Sequence, residues 1–419
     1  MEYDFGVMIM IDRLLVRYGD LILKGRNKKR FVKMVLARIE ERIESDKVVF
    51  EPSHDRLYIV LNGESEASVV DALKHVPGLH SYSRVMKTGK TMEAIKEGAL
   101  SLAREEIRPG ETFKVETKRA DKTFHPASPE VSKAVGGYVL FHEKTMEAAM
   151  NRPDQQINVE IRREGVFVYT RKIPLIGGFP VGSMGKGLVM MSGGIDSPVA
   201  AYFALKKGID IELVHYESTP YTSIESVQKV HDLARVLAKY GVQRTIKLHL
   251  VPFANLHAAI MQKVPEPYVI TIMRRMMVRI TDRFARQDHT PVIINGESIG
   301  QVASQTLESI HVTQAVTTMP ILSPLTAFDK QTIMTKARAI GTYDISVRPF
   351  EDCCTVYVPN QPATRPRDFY AKRYEGLFNY RAFIDDCLNR IRTIEVTPES
   401  TIDFPLRGFT VEEALKEDT

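Results

Sequence analysis

The segment Ser192-Gly193-Gly194-Ile195-Asp196-Ser197 places hydroxyl, glycine and carboxylate residues within six consecutive positions. It follows the apolar run 187–191 and leads directly into a helical pattern, so it is predicted to lie where a strand turns into a helix. Two glycines let the backbone approach a ligand closely, the serines add hydroxyl donors, and the helix N-terminus adds partial positive charge. Together these features predict a binding site for phosphate or pyrophosphate. A Walker P-loop is excluded, because the nearest candidate, Gly185-Lys186, is followed by glycine where serine or threonine belongs.

The adjacent thiols of Cys353 and Cys354 are the second candidate for chemistry. The chain has 3 cysteines, with no C-x-x-C pair and no Cys/His cluster, which argues against a disulfide scaffold and against structural zinc. Adjacent Cα atoms lie about 3.8 Å apart, below the usual disulfide range, so a bridge between these two residues would be strained. Each thiol is therefore expected to react with an external sulfur donor, with two inert loop cysteines as the alternative. Cys387 is predicted to be core, because it has helical spacing with Phe383 and Ile384.

The net charge of +5 is unevenly distributed along the chain. Residues 1–186 contain 31 Lys and Arg against 26 Asp and Glu, whereas residues 187–419 contain 26 of each. Five cations crowd the start of a predicted amphipathic helix: Lys24, Arg26, Lys28, Lys29 and Arg30. Cations at a helix N-terminus oppose its dipole, so stability does not explain them, whereas a phosphate partner such as RNA would. A merely solvated helix start is the alternative. Further candidate RNA contacts in the same half are Lys118, Arg119 and Lys122.

The elements that must position these residues fall into three successive patterns. The first part of the chain alternates as strand, helix, strand, strand and helix, an order typical of a ferredoxin-like α+β domain. A second α/β unit begins after Pro77-Gly78 and includes a hairpin that turns at Arg163-Glu164-Gly165. From residue 187 strands and helices alternate, which indicates a doubly wound parallel sheet with ligands at the carboxyl ends of its strands. The strands of this sheet are predicted at 187–191, 209–216, 245–252, 290–296 and 319–322, and its helices at 197–207, 224–240, 254–286, 301–316 and 329–340.

Nothing in the sequence predicts export or a membrane span. The apolar runs are short, and Glu2 and Asp4 stand where a signal peptide would carry positive charge. The cysteine usage fits a reducing compartment, so a cytoplasmic location is expected.

These motifs resemble those of the tRNA 4-thiouridine synthetases, or tRNA sulfurtransferases. The segment 192–197 is similar to their PP-loop, SGG-x-DS, which binds the pyrophosphate of ATP while AMP is transferred to an oxygen of the substrate. The similarity runs from about residue 14 to about residue 367. Its motifs are Val16-Arg17-Tyr18-Gly19-Asp20 with Lys24-Gly25, the PP-loop with Pro198-Val199-Ala200-Ala201-Tyr202, Met273-Arg274-Arg275-Met276-Met277, Gly296-Glu297-Ser298, Gly300-Gln301-Val302-Ala303-Ser304-Gln305-Thr306 and Glu351-Asp352-Cys353-Cys354.

The resemblance implies an architecture of three domains in an α/β chain. The N-terminal ferredoxin-like α+β domain is expected at 1–75 and a THUMP RNA-binding α/β domain at 76–172. A PP-loop ATP pyrophosphatase domain, built on the doubly wound parallel sheet, is expected at 173–419.

The resemblance also implies an activity. Members of this family adenylate the 4-carbonyl oxygen of a tRNA uridine, here expected to be uridine 8, and replace it with sulfur. Asp196 is expected to help hold Mg²⁺ or the phosphates of ATP, without dedicated metal ligands elsewhere. The essential cysteine of the family aligns best with Cys354, and Cys353 is expected to be less critical. The ATP-binding residues expected from the loop, the strand ends and the resemblance are Met190, Met191, Ser192, Gly193, Gly194, Asp196, Ser197, His215, Tyr216, Arg274, Gly296 and Gln305.

Two of these interpretations have a plain alternative. His215 is also consistent with a satisfied core histidine. Arg274 and Arg275 are consistent with cations that extend to solvent, although a charged pair inside so apolar a helix favours contact with phosphate. The methionines of the same helix are expected to be core.

The partners implied by the resemblance are tRNA and a cysteine desulfurase that donates persulfide sulfur. Some members of the family also supply sulfur to a small carrier protein for the thiazole half of thiamine, and that role stays open here. Longer members append a rhodanese-like domain, for which a chain ending at Thr419 has no room. Sulfur is therefore expected to reach Cys353 or Cys354 directly from the desulfurase or through an external carrier. The oligomeric state is open, with a homodimer as one option, and no membrane partner is expected.

Two other classes of function remain. A PP-loop ligase of the amidotransferase or tRNA-lysidine type would also adenylate its substrate, but it would attack with nitrogen and need no cysteine. A non-catalytic THUMP RNA-binding protein with a degenerate PP-loop is the second, although the intact SGG-x-DS sequence argues against it. Activity retained after replacement of both Cys353 and Cys354 by serine would favour the ligase, and an absence of ATP–pyrophosphate exchange would favour the binding protein.

Overall fold

The computed structural model describes residues 11–53, 55–302, 305–350 and 361–416 of the chain. The chain divides into two compact units, Met1–Gly178 and Phe179–Thr419, each of which is considered by itself.

The described part of the first unit contains one sheet of nine strands. These are β1 (Arg13–Arg17), β2 (Val49–Pro52), β3 (Arg56–Val60), β4 (Ser81–Thr88), β5 (Thr112–Arg119), β6 (Glu147–Ala148), β7 (Gln155–Arg162), β8 (Gly165–Tyr169) and β9 (Ile173–Pro174). The strand order is β2-β3-β1-β4-β8-β7-β5-β6, and β9 pairs with β4. β1 is antiparallel to both of its neighbours, and the side chains of Leu14, Leu15 and Val16 are fully buried.

β4 joins the two halves of this sheet. Its residues 81–85 pair with β1, and its residues 86–88 pair with β8. One half therefore has the order β2-β3-β1-β4, the antiparallel arrangement that the sequence predicts for a ferredoxin-like domain. In the other half, β5 is parallel to β7, and β7 forms the predicted hairpin with β8.

Four α-helices accompany the sheet in the described part of this unit. They are α1 (Lys28–Glu40), α2 (Glu66–Leu73), α3 (Met92–Glu106) and α4 (Ser128–His142). A 3₁₀ helix, Gly19–Asn27, leads directly into α1. α1 has no side-chain cap and no acidic residue in its first turn, so nothing local to the helix offsets the cations at its start.

The described part of the second unit contains a six-stranded sheet. Its strands are β10 (Lys186–Met190), β11 (Asp210–Glu217), β12 (Ile246–Pro252), β13 (Ile293–Ile294), β14 (Ile321–Leu322) and β15 (Arg392–Val396). The order is β14-β13-β10-β11-β12-β15. All neighbours pair in parallel except β15, which is antiparallel to β12 at the edge. This confirms the doubly wound parallel sheet that the sequence predicts.

The helices of the second unit lie between and after these strands. They are α5 (Asp196–Lys206), α6 (Ile224–Ala238), α7 (Ala254–Lys263), α8 (Val269–Gln287), α9 (Leu307–Gln314), α10 (Lys330–Ile340), α11 (Tyr343–Ser346), α12 (Asp368–Glu375), α13 (Tyr380–Asn389), α14 (Phe404–Arg407) and α15 (Val411–Ala414). The methionines of α8 are buried in the main core of this unit, as the sequence predicts. Two elements are shorter than predicted: β13 has two residues, and α9 begins at Leu307 rather than at 301.

No helix within the described ranges is both long enough and apolar enough to cross a lipid bilayer.

Candidate active site

The loop 192–197 lies at the point where the direction of the parallel sheet reverses. β10 has β11 on one side and β13 on the other, so the chain winds outward from β10 in both directions. In open α/β sheets this position leaves a crevice at the carboxyl ends of the strands, where ligands bind. The loop follows β10 directly, and α5 begins within it at Asp196.

Two serines fix the shape of the loop. The Ser197 hydroxyl accepts the backbone N–H of Ser192 at 2.9 Å and lies 3.0 Å from both the Ser192 carbonyl and the Ser192 hydroxyl. The Ser192 hydroxyl in turn accepts the N–H of Gly194 at 3.3 Å. The turn is therefore closed by its own side chains, while the first N–H groups of α5 have no acceptor within the helix. Such N–H groups bind anions.

Gly296 allows the chain after β13 to lie against the start of α5. A Cβ atom at this position would lie 2.7 Å from the backbone nitrogen of Ser197 and 2.9 Å from its Cα. Any side chain would therefore force the two backbones apart. Gly296 serves as a spacer that keeps the loop beside the residues that follow β13.

Asp196 forms an ion pair that sequence reasoning missed. The Nζ of Lys330 lies 2.7 and 3.0 Å from the two carboxylate oxygens of Asp196 and 3.3 Å from the Oε1 of Gln301. Lys330 is the first residue of α10, directly after the capping residue Asp329. A cation there opposes the helix dipole, the same signal that singled out the cations before α1, and it could have identified Lys330 in the sequence.

His215 supports the loop with one ring nitrogen. Its Nδ1 lies 3.0 Å from the carbonyl of Met191, and because a carbonyl only accepts, Nδ1 carries the proton. The ring is 2% exposed, and its Nε2 has no hydrogen-bond partner among the described residues. The interpretation as a satisfied core histidine thus holds for only one nitrogen. Tyr216 donates its hydroxyl to the carbonyl of Met277 at 2.6 Å, so its side chain belongs to the core.

A polar cluster follows β13. The guanidinium of Arg274 on α8 pairs with the carboxylate of Glu297, the residue after Gly296. Nearby in the chain, the Nε2 of Gln301 and the Oε1 of Gln305 are buried and have no hydrogen-bond partner within the described ranges. Buried polar atoms of this kind are usually satisfied by a ligand or water.

Arg275, the neighbour of Arg274, has a structural role instead. It is 1% exposed, and its guanidinium contacts the Glu375 carboxylate at 2.8 and 3.1 Å, Asp368 at 3.0 Å and the Val312 carbonyl at 2.6 Å. The expectation that both arginines contact phosphate is therefore wrong for Arg275, because its donors are used within the protein.

The predicted sulfur-bearing residues Cys353 and Cys354 lie outside the described residues. The chain that leads to them passes the loop: the Ser346 hydroxyl donates to the Gly194 carbonyl at 3.2 Å, seven residues before Cys353. Cys387 is 1% exposed, as predicted, and burial raises the pKa of its thiol to about 12.

The predicted RNA contacts occupy two places in the first unit. Arg26, Lys29 and Arg30 are exposed at the start of α1 and Lys28 is half-buried, whereas the side chain of Lys24 lies outside the described part. Lys118 and Lys122 are exposed near the end of β5. Arg119 differs, because its guanidinium donates to the carbonyls of Phe124 and Pro126, the latter at 3.2 Å, and so holds the loop that carries Lys122.

Over the residues that the structure describes, no group of three or more His, Cys, Asp or Glu side chains could hold a metal ion. Among the loop residues, Asp196 supplies the one carboxylate that could share a Mg²⁺ ion with a bound nucleotide.

Comparison with known proteins agrees with this arrangement. Three family models match: the ThiI ferredoxin-like domain over residues 13–83, the THUMP domain over 89–171, and the thiamine biosynthesis protein (ThiI) over 182–379. A probable tRNA sulfurtransferase of Acholeplasma laidlawii is 44% identical, covering 97% of this chain and 98% of that protein. One from Geobacillus kaustophilus is 42% identical, covering 93% of this chain and 97% of that protein.

Solved structures show the same similarity. A crystal structure of a 4-thiouridine synthetase in complex with RNA and ATP has a TM-score of 0.84 at 33% identity, covering 92% of this chain and all of that one. A Pyrococcus horikoshii protein, with a TM-score of 0.57 at 21% identity over 79% of this chain and 99% of that one, shares the fold. The extent of identity along nearly the whole chain, with the loop 192–197 and its supports in place, shows that this chain belongs to the tRNA sulfurtransferase family of enzymes.

Proposed function

We propose that this chain uses ATP to adenylate the 4-carbonyl oxygen of uridine 8 in tRNA and then replaces that oxygen with sulfur, which gives 4-thiouridine. The pyrophosphate of ATP binds at the loop 192–197, Asp196 shares Mg²⁺ with the phosphates, and Lys330 offsets their negative charge. The adenine and ribose lie over the ends of β10 and β11. The RNA and ATP bound by the similar 4-thiouridine synthetase support both substrates.

Adenylation is needed because the 4-carbonyl of uridine, like an amide, is a poor electrophile. The oxygen attacks the α-phosphorus of ATP, the bond to the β-phosphate oxygen breaks, and pyrophosphate leaves. C4 then carries AMP as a leaving group. The backbone N–H groups of the loop and the Lys330 ammonium stabilise the charge that develops on pyrophosphate.

Sulfur transfer follows in steps that balance. Cys354 first takes sulfane sulfur from the persulfide of a cysteine desulfurase, whose thiolate leaves. The terminal sulfur of the new persulfide attacks C4, and AMP departs with the electron pair of the C4–O bond. A second thiolate, from Cys353 or an external thiol, attacks the Cys354 sulfur, and 4-thiouridine leaves as the S–S bond breaks. A dithiol reductant supplies the two electrons and two protons that restore the thiols.

The contact between Ser346 and Gly194 is the observation that carries this proposal. It ties the chain leading to Cys353 and Cys354 to the loop that is built for pyrophosphate. A ligase that attacks with nitrogen has no use for such a link. The link favours sulfur transfer over the alternative of a PP-loop ligase.

The test is to incubate the protein with unmodified tRNA, ATP, Mg²⁺, cysteine and a cysteine desulfurase, and to look for 4-thiouridine by nucleoside mass spectrometry. We expect 4-thiouridine and AMP in equal amounts, and neither with a tRNA that carries cytidine at position 8. Cys354→Ser should still form AMP but no 4-thiouridine, and Cys353→Ser should be slowed. Full thiolation by the double variant would exclude both cysteines and overturn the sulfur step.

A second acceptor for the same sulfur is the carrier protein of thiamine synthesis. The name of the matching family, thiamine biosynthesis protein, supports this extension. A carrier with a C-terminal thiocarboxylate, detected by intact-mass spectrometry after the same incubation, would support it, and an unmodified carrier would remove it. We also propose a cytoplasmic location, which imaging of the tagged protein in cells tests, and a homodimer, which light scattering of the purified protein tests.

A further inference from the structure

Lys229 on α6 is a buried cation that holds backbone rather than an acid. It is 5% exposed, and its ammonium donates to the carbonyl of Phe350 at 2.6 Å and to that of Arg348 at 3.3 Å. Burying a lysine costs free energy that an apolar side chain at the same position would not incur. The stability of α6 therefore does not explain this residue, whereas a need to fix two carbonyls does.

Two further contacts hold the same short stretch of chain, residues 346–350. The guanidinium of Arg348 pairs with the carboxylate of Asp232, one turn after Lys229 on α6. At the other end, Ser346 donates to the carbonyl of Gly194 in the loop 192–197. The stretch is thus held between the candidate ATP loop and α6.

The position of Phe350 limits where the two thiols can be. Phe350 is three residues before Cys353 and four before Cys354. Because a fully extended residue spans at most about 3.5 Å, the Cα atoms of these cysteines lie within about 10 and 14 Å of that of Phe350 in any conformation. A fixed Phe350 carbonyl therefore confines both thiols to a volume beside the loop.

We propose that Lys229 is a positioning residue for sulfur transfer: it fixes the backbone at Arg348 and Phe350 so that the thiols of Cys353 and Cys354 reach the adenylated uridine. This inference rests on the proposed function, because it takes those cysteines to carry sulfur. Lys229 does not act on ATP, so its removal affects the second half of the reaction and not the first. Misplacement of a reacting group by about 1 Å can cost a factor of about 100 in rate.

The experiment uses the full chain in the assay with unmodified tRNA, ATP, Mg²⁺, cysteine and desulfurase, and measures AMP and 4-thiouridine separately. Lys229→Met should form AMP at the wild-type rate, while its rate of 4-thiouridine formation falls about 10- to 100-fold. Lys229→Arg should recover most of the loss, because a guanidinium also donates to carbonyls. Should Lys229→Met fail to fold, Lys229→Gln, whose amide still fills the site, must show the same separation of the two rates.

Arg235 provides a matched control on the same helix. Its guanidinium donates to the carbonyl of Pro398 at 3.2 and 3.1 Å, so it too is a cation of α6 that holds backbone, but of a segment remote in sequence from the cysteines. Arg235→Met should leave both rates unchanged. Wild-type thiolation by Lys229→Met, or an equal loss of AMP and 4-thiouridine, would overturn the inference. If the wild-type chain itself makes no 4-thiouridine, the proposed function fails instead, and this is seen before any variant is compared.

Discussion

Asp196 and Lys330 neutralise each other beside the loop 192–197, yet each has a different task once a nucleotide is bound. The carboxylate would share Mg²⁺, and the ammonium would face the phosphates. An ion pair whose members are 24% and 44% exposed contributes little to stability, so the two charges serve binding rather than folding.

We therefore expect Asp196→Asn and Lys330→Met each to reduce AMP formation about 100-fold or more, as is typical when a group that stabilises developing charge is removed. Affinity for tRNA should be nearly unchanged, because the exposed cations assigned to RNA lie in the first unit. AMP release and filter binding measure the two effects. Lys336→Met, a change two turns later on α10, is the control and should alter neither. A double variant at Asp196 and Lys330 that regains full activity would show that the pair only satisfies itself.

At the scale of elements, α8 is held to α12 by the guanidinium of Arg275. Removing it leaves the Glu375 carboxylate, 3% exposed, without its closest partner. Breaking a buried pair from one side costs about 3–5 kcal/mol, so Arg275→Met should lower the free energy of unfolding by that amount in urea titrations. Arg283→Met is matched to it on the same helix, because Arg283 pairs with Asp385 on α13 while both are about half exposed. That variant should cost less than about 1 kcal/mol, and equal losses would contradict the assignment.

The strands β11 and β12 share an acid whose ionisation links stability to pH. A hydrogen bond from His249 lowers the pKa of the Glu212 carboxyl from 4.5 to about 2, burial opposes this, and Lys186 adds to the lowering. Because the folded-state pKa lies below the unfolded one, this contribution is complete above pH about 4.5 and is lost as the pH falls through about 2.

Glu212→Gln should therefore reduce the free energy of unfolding at pH 7 by about 2 kcal/mol, the scale of a hydrogen bond to a charged group. It should also flatten the acid limb of the curve of unfolding free energy against pH between about 4.5 and 2. Thermal or urea unfolding across that range tests both effects. The exposed Glu395 on β15 provides the control substitution, Glu395→Gln, which should leave the acid limb as it is. A parallel shift of the whole curve without flattening would refute the linkage.

At the scale of the whole molecule, the basic excess of residues 1–186 predicts that affinity for tRNA depends on salt. Replacing Arg26, Lys29 and Arg30 by glutamine in the full chain should reduce the slope of log K against log salt by about 0.7–0.9 for each phosphate that these side chains neutralise. The control removes three exposed cations of the same unit with the same change in net charge: Lys47, Lys74 and Lys144. An equal effect of both triple variants would assign the slope to net charge and not to the start of α1.

Much of this architecture can be predicted from the sequence, because its signals are local. The switch to alternating strand and helix, the loop 192–197 and the cations before α1 follow from periodicity and helix-end chemistry. The strand β4 does not, since Ser81, Ser83 and Thr88 are buried polar residues that break the apolar pattern of a strand. The ion pairs of Asp196 with Lys330 and of Arg275 with Glu375 join residues more than 90 positions apart. Such partners are set by tertiary packing, which a single sequence does not display.

The continuity of β4 makes the first unit a caliper. Because one strand carries the hydrogen bonds of both halves of the sheet, the distance from the start of α1 to the end of β5 is set by backbone geometry and not by a flexible tether. Two phosphate-binding jaws at a fixed gap discriminate by span as well as by charge. An RNA whose phosphates match the gap engages both jaws without the entropic cost of closing a linker, and one that is too short engages a single jaw and dissociates faster.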